Sequence, residues 1–334
     1  MLHRVHEAPL LPEDAMLLKG VLAGERRALA KAITLIESSR ADHRSRANAL
    51  LKALLPHTGH SIRLGISGVP GVGKSTFIEA LGIWLVEQGA RLAVLAVDPS
   101  SSISGGSILG DKTRMELLAA REEAFIRPSP SAGSLGGVAE KTREAMLLAE
   151  AAGFNVVVVE TVGVGQSETT VAGMVDMFIL LQLPNAGDDL QAIKKGIVEV
   201  ADCILINKAD INPQAAAFAC AQWKNALKML RTASPHWLPP VLTVSAAQKE
   251  GLDIFWKEVL RFKCTLEASG EFQAKRKAQA VRWMWNLIDA GLRQQFDEHP
   301  LVKAELPGLS NSVENGKISP TAAAGQLLSY MQHV

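Results

Sequence analysis

Leu64-Gly65-Ile66-Ser67-Gly68-Val69-Pro70-Gly71-Val72-Gly73-Lys74-Ser75-Thr76 decides the reading of this chain. An apolar, strand-like run (Leu64 to Ile66) passes into a glycine-rich turn, and a helical pattern follows through Glu79. From Gly68 the residues match G-x-x-x-x-G-K-[ST], in the strand–turn–helix setting that the motif requires. Backbone N–H groups of such a turn point inward around a β-phosphate, and the following helix adds its positive end. Lys74 is then expected to reach the β- and γ-phosphates, and Ser75 to place its hydroxyl on Mg²⁺. Gly68, Val69, Pro70, Gly71, Val72, Gly73, Lys74, Ser75 and Thr76 are the expected phosphate-binding residues.

Outward from this loop, apolar strands alternate with helix-compatible sequence. Strands read at Ile62 to Ser67, Leu92 to Val97, Ala124 to Arg127, Asn155 to Glu160, Met177 to Leu183, Cys203 to Asn207 and Val241 to Val244. The fourth is nearly all valine, which suits a parallel strand buried on both faces. Such alternation predicts an α/β fold with a doubly wound, mainly parallel sheet and ligands at the carboxyl ends of its strands. Helical patterns precede and follow this core. We therefore expect an N-terminal helical extension over 1–58, a nucleotide-binding domain over 59–265 and a C-terminal helical region over 266–334. The segment from Ala278 to Phe296 carries more apolar side chains than one core-facing stripe needs, so it either packs on the core or forms a dimer interface.

The 334 residues include Lys+Arg 35 and Asp+Glu 34, a net charge of +1. No polyanion-binding field follows, so nucleic acid is not an expected partner. Cys203, Cys220 and Cys264 lie far apart without C-x-x-C spacing, which fits a reducing cytoplasm and no zinc cluster. The longest apolar runs are too short to span a bilayer, and the N-terminus lacks the apolar core of a secretory signal. A cytoplasmic enzyme with no membrane contact is the expectation.

Asn207-Lys208-Ala209-Asp210 follows an apolar strand downstream of the phosphate loop. The Asp210 carboxylate can accept both the ring N–H and the amino hydrogens of guanine, whereas adenine offers no such pair. Asn207 can meet the other edge of the base, and the Lys208 stem can lie over its face. Ser245, Ala246 and Ala247, after the last strand, fit a loop whose backbone backs the guanine carbonyl. GTP, converted to GDP, is the expected nucleotide. Asp98, Asp111 and Glu160 fall at strand ends or loops on the phosphate side and, with Ser75, make an octahedral oxygen environment for Mg²⁺. Glu160-Thr161-Val162-Gly163 stands where hydrolases usually carry Asp-x-x-Gly, so metal contact through a water is expected. Asp111 and Gln166 are both candidates to orient the attacking water.

The stretches Ala96 to Ser101, Gly105 to Met115 and Glu160 to Glu168 resemble the metallochaperone family of P-loop GTPases, and within it the methylmalonyl-CoA mutase-associated, MeaB/ArgK type. Gly187 to Gly196 resembles that subgroup's extra loop, often called switch III. The resemblance covers nearly the whole chain, with a small departure at Ser102-Ile103-Ser104. It implies a homodimeric GTPase that binds an adenosylcobalamin-dependent mutase, methylmalonyl-CoA mutase being the family default, and gates cofactor loading, protection and reactivation. It further implies that Asp98, Asp111 and Glu160 are the Mg²⁺ and switch positions, and that Lys194 couples partner contact to hydrolysis. Lys74, Asp111, Glu160, Gln166 and Lys194 are thus the candidate catalytic residues. Three other classes compete: a kinase acting on amino-acid-binding transport proteins, which a guanine-reading motif argues against; a nickel-delivery GTPase, which would want Cys or His near the switches; and a signal-recognition-type targeting GTPase, which would want a Met-rich signal-binding domain.

Overall fold

The central element is β1 (Ile62–Gly68), whose seven residues are buried except for the partly exposed Arg63. In a computed structural model of the chain, β1 stands in the middle of a parallel sheet. The residues described are 10–38, 40–97, 115–128, 135–161, 167–184, 195–228 and 234–333. The other strands are β2 (Leu92–Val97), β3 (Ala124–Arg127), β4 (Val156–Thr161), β5 (Met177–Gln182), β6 (Cys203–Ile206) and β7 (Val241–Thr243). Their order is β3-β2-β4-β1-β5-β6-β7, and each neighbouring pair is parallel. The expected mainly parallel sheet is thus parallel in all seven strands.

The chain leaves β1 toward β2 and β3 and later crosses to β5, β6 and β7 on the other side. Ligands bind at such reversals, outside the carboxyl ends of the strands, and the phosphate loop leaves β1 there. Helices cover both faces. One face packs Val157, Val159, Phe178, Leu180 and Ile204 against the helices Leu135–Ala151 and Pro213–Lys228. The same core takes Val21, Leu29, Ile33, Leu50 and Leu54 from the N-terminal helices Pro12–Leu22, Arg26–Glu37 and Ala41–Leu54. The opposite face packs Leu64, Ile66 and Ile179 against Phe77 and Leu81 of the helix Lys74–Glu87 and Phe255 and Phe262 of the helix Leu252–Ala268.

At the amino ends of the strands a buried ion-pair network holds β1. Arg63 donates to Glu150 through Nε at 2.7 Å and Nη2 at 2.9 Å, and Ser61 and the Gly59 N–H also donate to that carboxylate. Asp176, ahead of β5, accepts from the Arg63 N–H and from Nε and Nη2 of Arg276, while Arg276 also donates to the carbonyls of Gly59 and Ser61. Burial by itself pushes the Glu150 carboxyl up, but Arg63, Ser61 and Gly59 outweigh it and hold the group below its ordinary range. A depressed carboxylate stabilises the fold above the ordinary range, and this contribution is lost as pH falls through the lowered value. Urea midpoints taken from neutral pH to below about pH 4 should therefore fall, and Glu150→Gln should flatten that decline. An unchanged slope in the variant would remove Glu150 from the acid sensitivity.

Residues through Lys277 form one compact unit, and those from Ala278 onward a second. The second holds most of the helix Glu271–Glu298 together with the helices Pro300–Glu314 and Pro320–Ser329, with Val302 and Leu327 buried. On the long helix Val281, Met284, Trp285, Ile288 and Leu292 are exposed, a stripe at helical spacing. Among the described residues, no helix is long and apolar enough to cross a membrane.

Candidate functional site: a phosphate loop braced by a base-reading loop

Sequence places the phosphate loop at a strand's end, and the fold brings a second loop onto it. Gly73, with φ of 93°, caps the helix Lys74–Glu87 in the left-handed region that favours glycine. A Cβ there would come within 2.8 Å of the Asn207 amide nitrogen, so the same position also requires the absence of a side chain. Val72 is fully buried, while Pro70 and Gly71 are exposed and the surroundings of Gly71 are open. Lys74 Nζ donates to the Gly68 carbonyl at 2.7 Å and lies 3.4 Å from that of Val69. Val69, Ser75 and Thr76 complete the turn and the first helical residues, Thr76 exposed and Val69 and Ser75 half-buried.

The Asn207 amide closes onto this loop from β6. Its Nδ2 donates to the Val72 carbonyl at 2.8 Å, and its Oδ1 accepts the Ala246 N–H at 3.2 Å. Sequence reasoning aimed Asn207 at the base; the geometry adds a bracing role between the phosphate loop and the loop after β7. Lys208, at φ of 59°, donates from Nζ to the Gly71 carbonyl at 2.8 Å, which lays its stem across the mouth of the site. Asp210 is exposed, whereas Ser245 and Ala246 are buried and Ala247 is exposed. Ser245 is held in its turn by the Glu250 backbone and by the Gln248 N–H. The phosphate-loop and base-loop residues therefore meet in one place.

Of the residues expected to hold Mg²⁺, Ser75 donates from Oγ to Glu160 Oε1 at 3.2 Å across 85 residues of sequence. A hydroxyl beside a carboxylate, both hard oxygen donors, suits Mg²⁺ better than a softer metal. Asp98, Asp111, Gln166 and Lys194 lie outside the described residues. Sequence reasoning passed over the buried pair Ser67 and Thr161, where Thr161 Oγ1 donates to Ser67 Oγ at 2.9 Å. Two hydroxyls at the ends of apolar strands were the available signal.

The family described as "Methylmalonyl Co-A mutase-associated GTPase MeaB" matches residues 29–300. A putative GTPase of Caulobacter vibrioides is 55% identical over 309 residues, covering 92% of this chain and 95% of its own. The mouse protein named methylmalonic aciduria type A homolog, mitochondrial, is 47% identical over 325 residues, covering 93% of this chain and 78% of its own. Among solved structures, one described as LAO/AO transport system kinase superposes with a TM-score of 0.77 at 40% identity, covering 97% of this chain and 100% of that one. Through the family match, these relatives and the loop geometry, the chain belongs to the MeaB family of P-loop GTPases.

Proposed function

We propose that this protein hydrolyses GTP and, as a homodimer, acts as chaperone to an adenosylcobalamin-dependent mutase, with methylmalonyl-CoA mutase as the partner. The observation that supports the nucleotide reading is the brace between loops: Asn207 bonds to Val72 and Lys208 to Gly71, which ties the start of Asn207-Lys208-Ala209-Asp210 to the phosphate loop. Asp210 reads guanine, Lys74 and the loop N–H groups hold the β- and γ-phosphates, and Ser75 with Glu160 holds Mg²⁺. When bound, Mg²⁺ neutralises charge developing on the transferred phosphoryl oxygens. Asp98 and Asp111 complete the metal environment in this reading, and Asp111 or Gln166 orients the attacking water.

The mutase partnership is supported by the family's description as mutase-associated. Dimerisation through residues 266–334 is supported by the exposed Val281, Met284, Trp285, Ile288 and Leu292, since an apolar helical stripe of that length favours a second copy. A cytoplasmic location is supported by three unpaired thiols. Affinity capture from cell extract followed by mass spectrometry tests the partnership. Recovery of a cobalamin-dependent mutase supports it; recovery of a transport-protein subunit instead would favour the kinase activity for which the solved relative is named.

The stretch from Gly187 to Lys195 supplies a second test. In this reading it carries partner contact to the nucleotide through Lys194. Lys194→Ala should leave slow intrinsic turnover nearly unchanged and lose the acceleration by saturating mutase, which for a charge supplied only in the complex reaches ~10³-fold. Equal stimulation of wild type and variant would make Lys194 a surface lysine.

A further inference from the structure

The backbone pairing of β1 with β4 runs from Ile62↔Val156 to Ile66↔Glu160 and stops. Beyond that rung β1 continues as Ser67 and Gly68, paired with β5, and β4 continues as Thr161, paired with Val97 of β2. At this level Thr161 Oγ1 donates to Ser67 Oγ at 2.9 Å, with the Ile66 carbonyl 3.5 Å away. Thr161 is 0% and Ser67 1% exposed. Their side chains lie on the sheet face whose neighbouring layer is Val97, Val159 and Leu180, all apolar. A side-chain hydrogen bond thus adds one rung where the ladder has ended.

We propose that the Thr161–Ser67 hydroxyl pair is a positioning element for GTP hydrolysis, holding Glu160 in register with the phosphate loop. This rests on the reading of Ser75 and Glu160 as the metal-side residues. Those two groups sit on different strands, Ser75 carried by the loop and helix that leave β1, and Glu160 by β4 itself. Their 3.2 Å contact depends on how the ends of β1 and β4 sit relative to each other. The paired residues of β1 and β4 end at Ile66 and Glu160; past that rung β1 is held by β5 and β4 by β2, and the hydroxyl bond ties the two strand ends to each other directly. Burial makes the bond effective: with no water to compete, each hydroxyl has few substitutes for the other. It also makes the pair a poor choice for stability alone, because an apolar pair of the same shape would serve the surrounding layer as well or better.

A merely structural pair and a positioning pair give different results. Thr161→Val keeps the shape and removes the donor, and Ser67→Ala removes the acceptor. Single-turnover GTP hydrolysis should slow ~10-fold or more in either variant, the scale expected when reacting groups are displaced by a fraction of an ångström. Affinity for a fluorescent GTP analogue should change by less than about 3-fold, since base and phosphate contacts stay in place. Thr161→Ser, which restores the donor, should recover the rate. The double variant should be no slower than either single one, because one bond is lost in all three. Val157→Ala on the same strand, fully buried and away from the pair, is the control for destabilisation and should keep the wild-type rate below its unfolding temperature. Unchanged hydrolysis in Thr161→Val, or an equal slowing in Val157→Ala, overturns the positioning role. A wild-type protein that does not hydrolyse GTP overturns the GTPase reading as well, so the two failures are told apart by the wild-type measurement.

Discussion

Lys74→Ala is expected to abolish measurable GTP turnover, a loss of at least ~10²–10³-fold, with the fold intact. The lysine begins the helix Lys74–Glu87 and is half-buried, with Nζ turned onto the carbonyls of Gly68 and Val69. In the proposed reading those are carbonyls of the loop that wraps the phosphates, which would set the ammonium where phosphate charge arrives. Its removal takes away a positive charge held at the loop, and on the same reading transition-state charge on the phosphoryl oxygens goes uncompensated. The core beneath does not depend on it: Val72, Phe77 and Ile78 pack without the lysine stem. Ser75→Ala should have a comparable effect through loss of the hydroxyl beside Glu160. Phosphate release compared with thermal unfolding of the same variants makes the check. Near-normal turnover with normal Mg²⁺ dependence in either variant would move the catalytic site elsewhere.

The second large effect is on base choice. Asp210→Asn should weaken GTP by about 2–4 kcal/mol and strengthen xanthosine triphosphate, whose carbonyl stands where guanine has its amino group. The wild-type carboxylate accepts two donors from guanine, whereas an amide offers one acceptor and one donor and so fits xanthine's edge. The neighbours make this a test of the base contact and not of the scaffold. Asp210 is exposed, while the bracing falls to Asn207 and Lys208, which the substitution leaves in place. Competition between GTP, ATP and xanthosine triphosphate on both proteins reads the outcome. Equal wild-type affinity for ATP and GTP would sink the guanine assignment.

Local sequence carried the strands closely, with departures that have local causes. The valine strand was expected from Asn155 and begins at Val156. The Asn155 side chain accepts the Arg91 N–H at 2.9 Å, so this asparagine ties the strand's entry. β5 was expected to reach Leu183 and ends at Gln182, two residues before Pro184, which cannot donate to a ladder. The apolar stripes were less complete guides. Leu22, Leu55 and Ile254 are apolar residues in helical sequence, yet they are exposed. Spacing says which side chains share a face, but only the packed structure says where that face finds a partner.

The phosphate-loop motif, the Asn207-Lys208-Ala209-Asp210 tetrapeptide and the strand–helix alternation were legible in sequence alone, because each depends on residues within one turn or one strand of each other. The contacts that make them a site were decided by the tertiary structure. Asn207 reaches Val72 across 135 residues, Thr161 reaches Ser67 across 94, and Arg276 reaches Asp176 across 100. The sheet order β4-β1-β5-β6 produces the first two, because it sets strands distant in sequence side by side about 5 Å apart, and the packing of the start of the helix Glu271–Glu298 produces the third. No local periodicity encodes that order. It follows from which apolar faces the helices on both sides bury, and burial is a property of the whole fold.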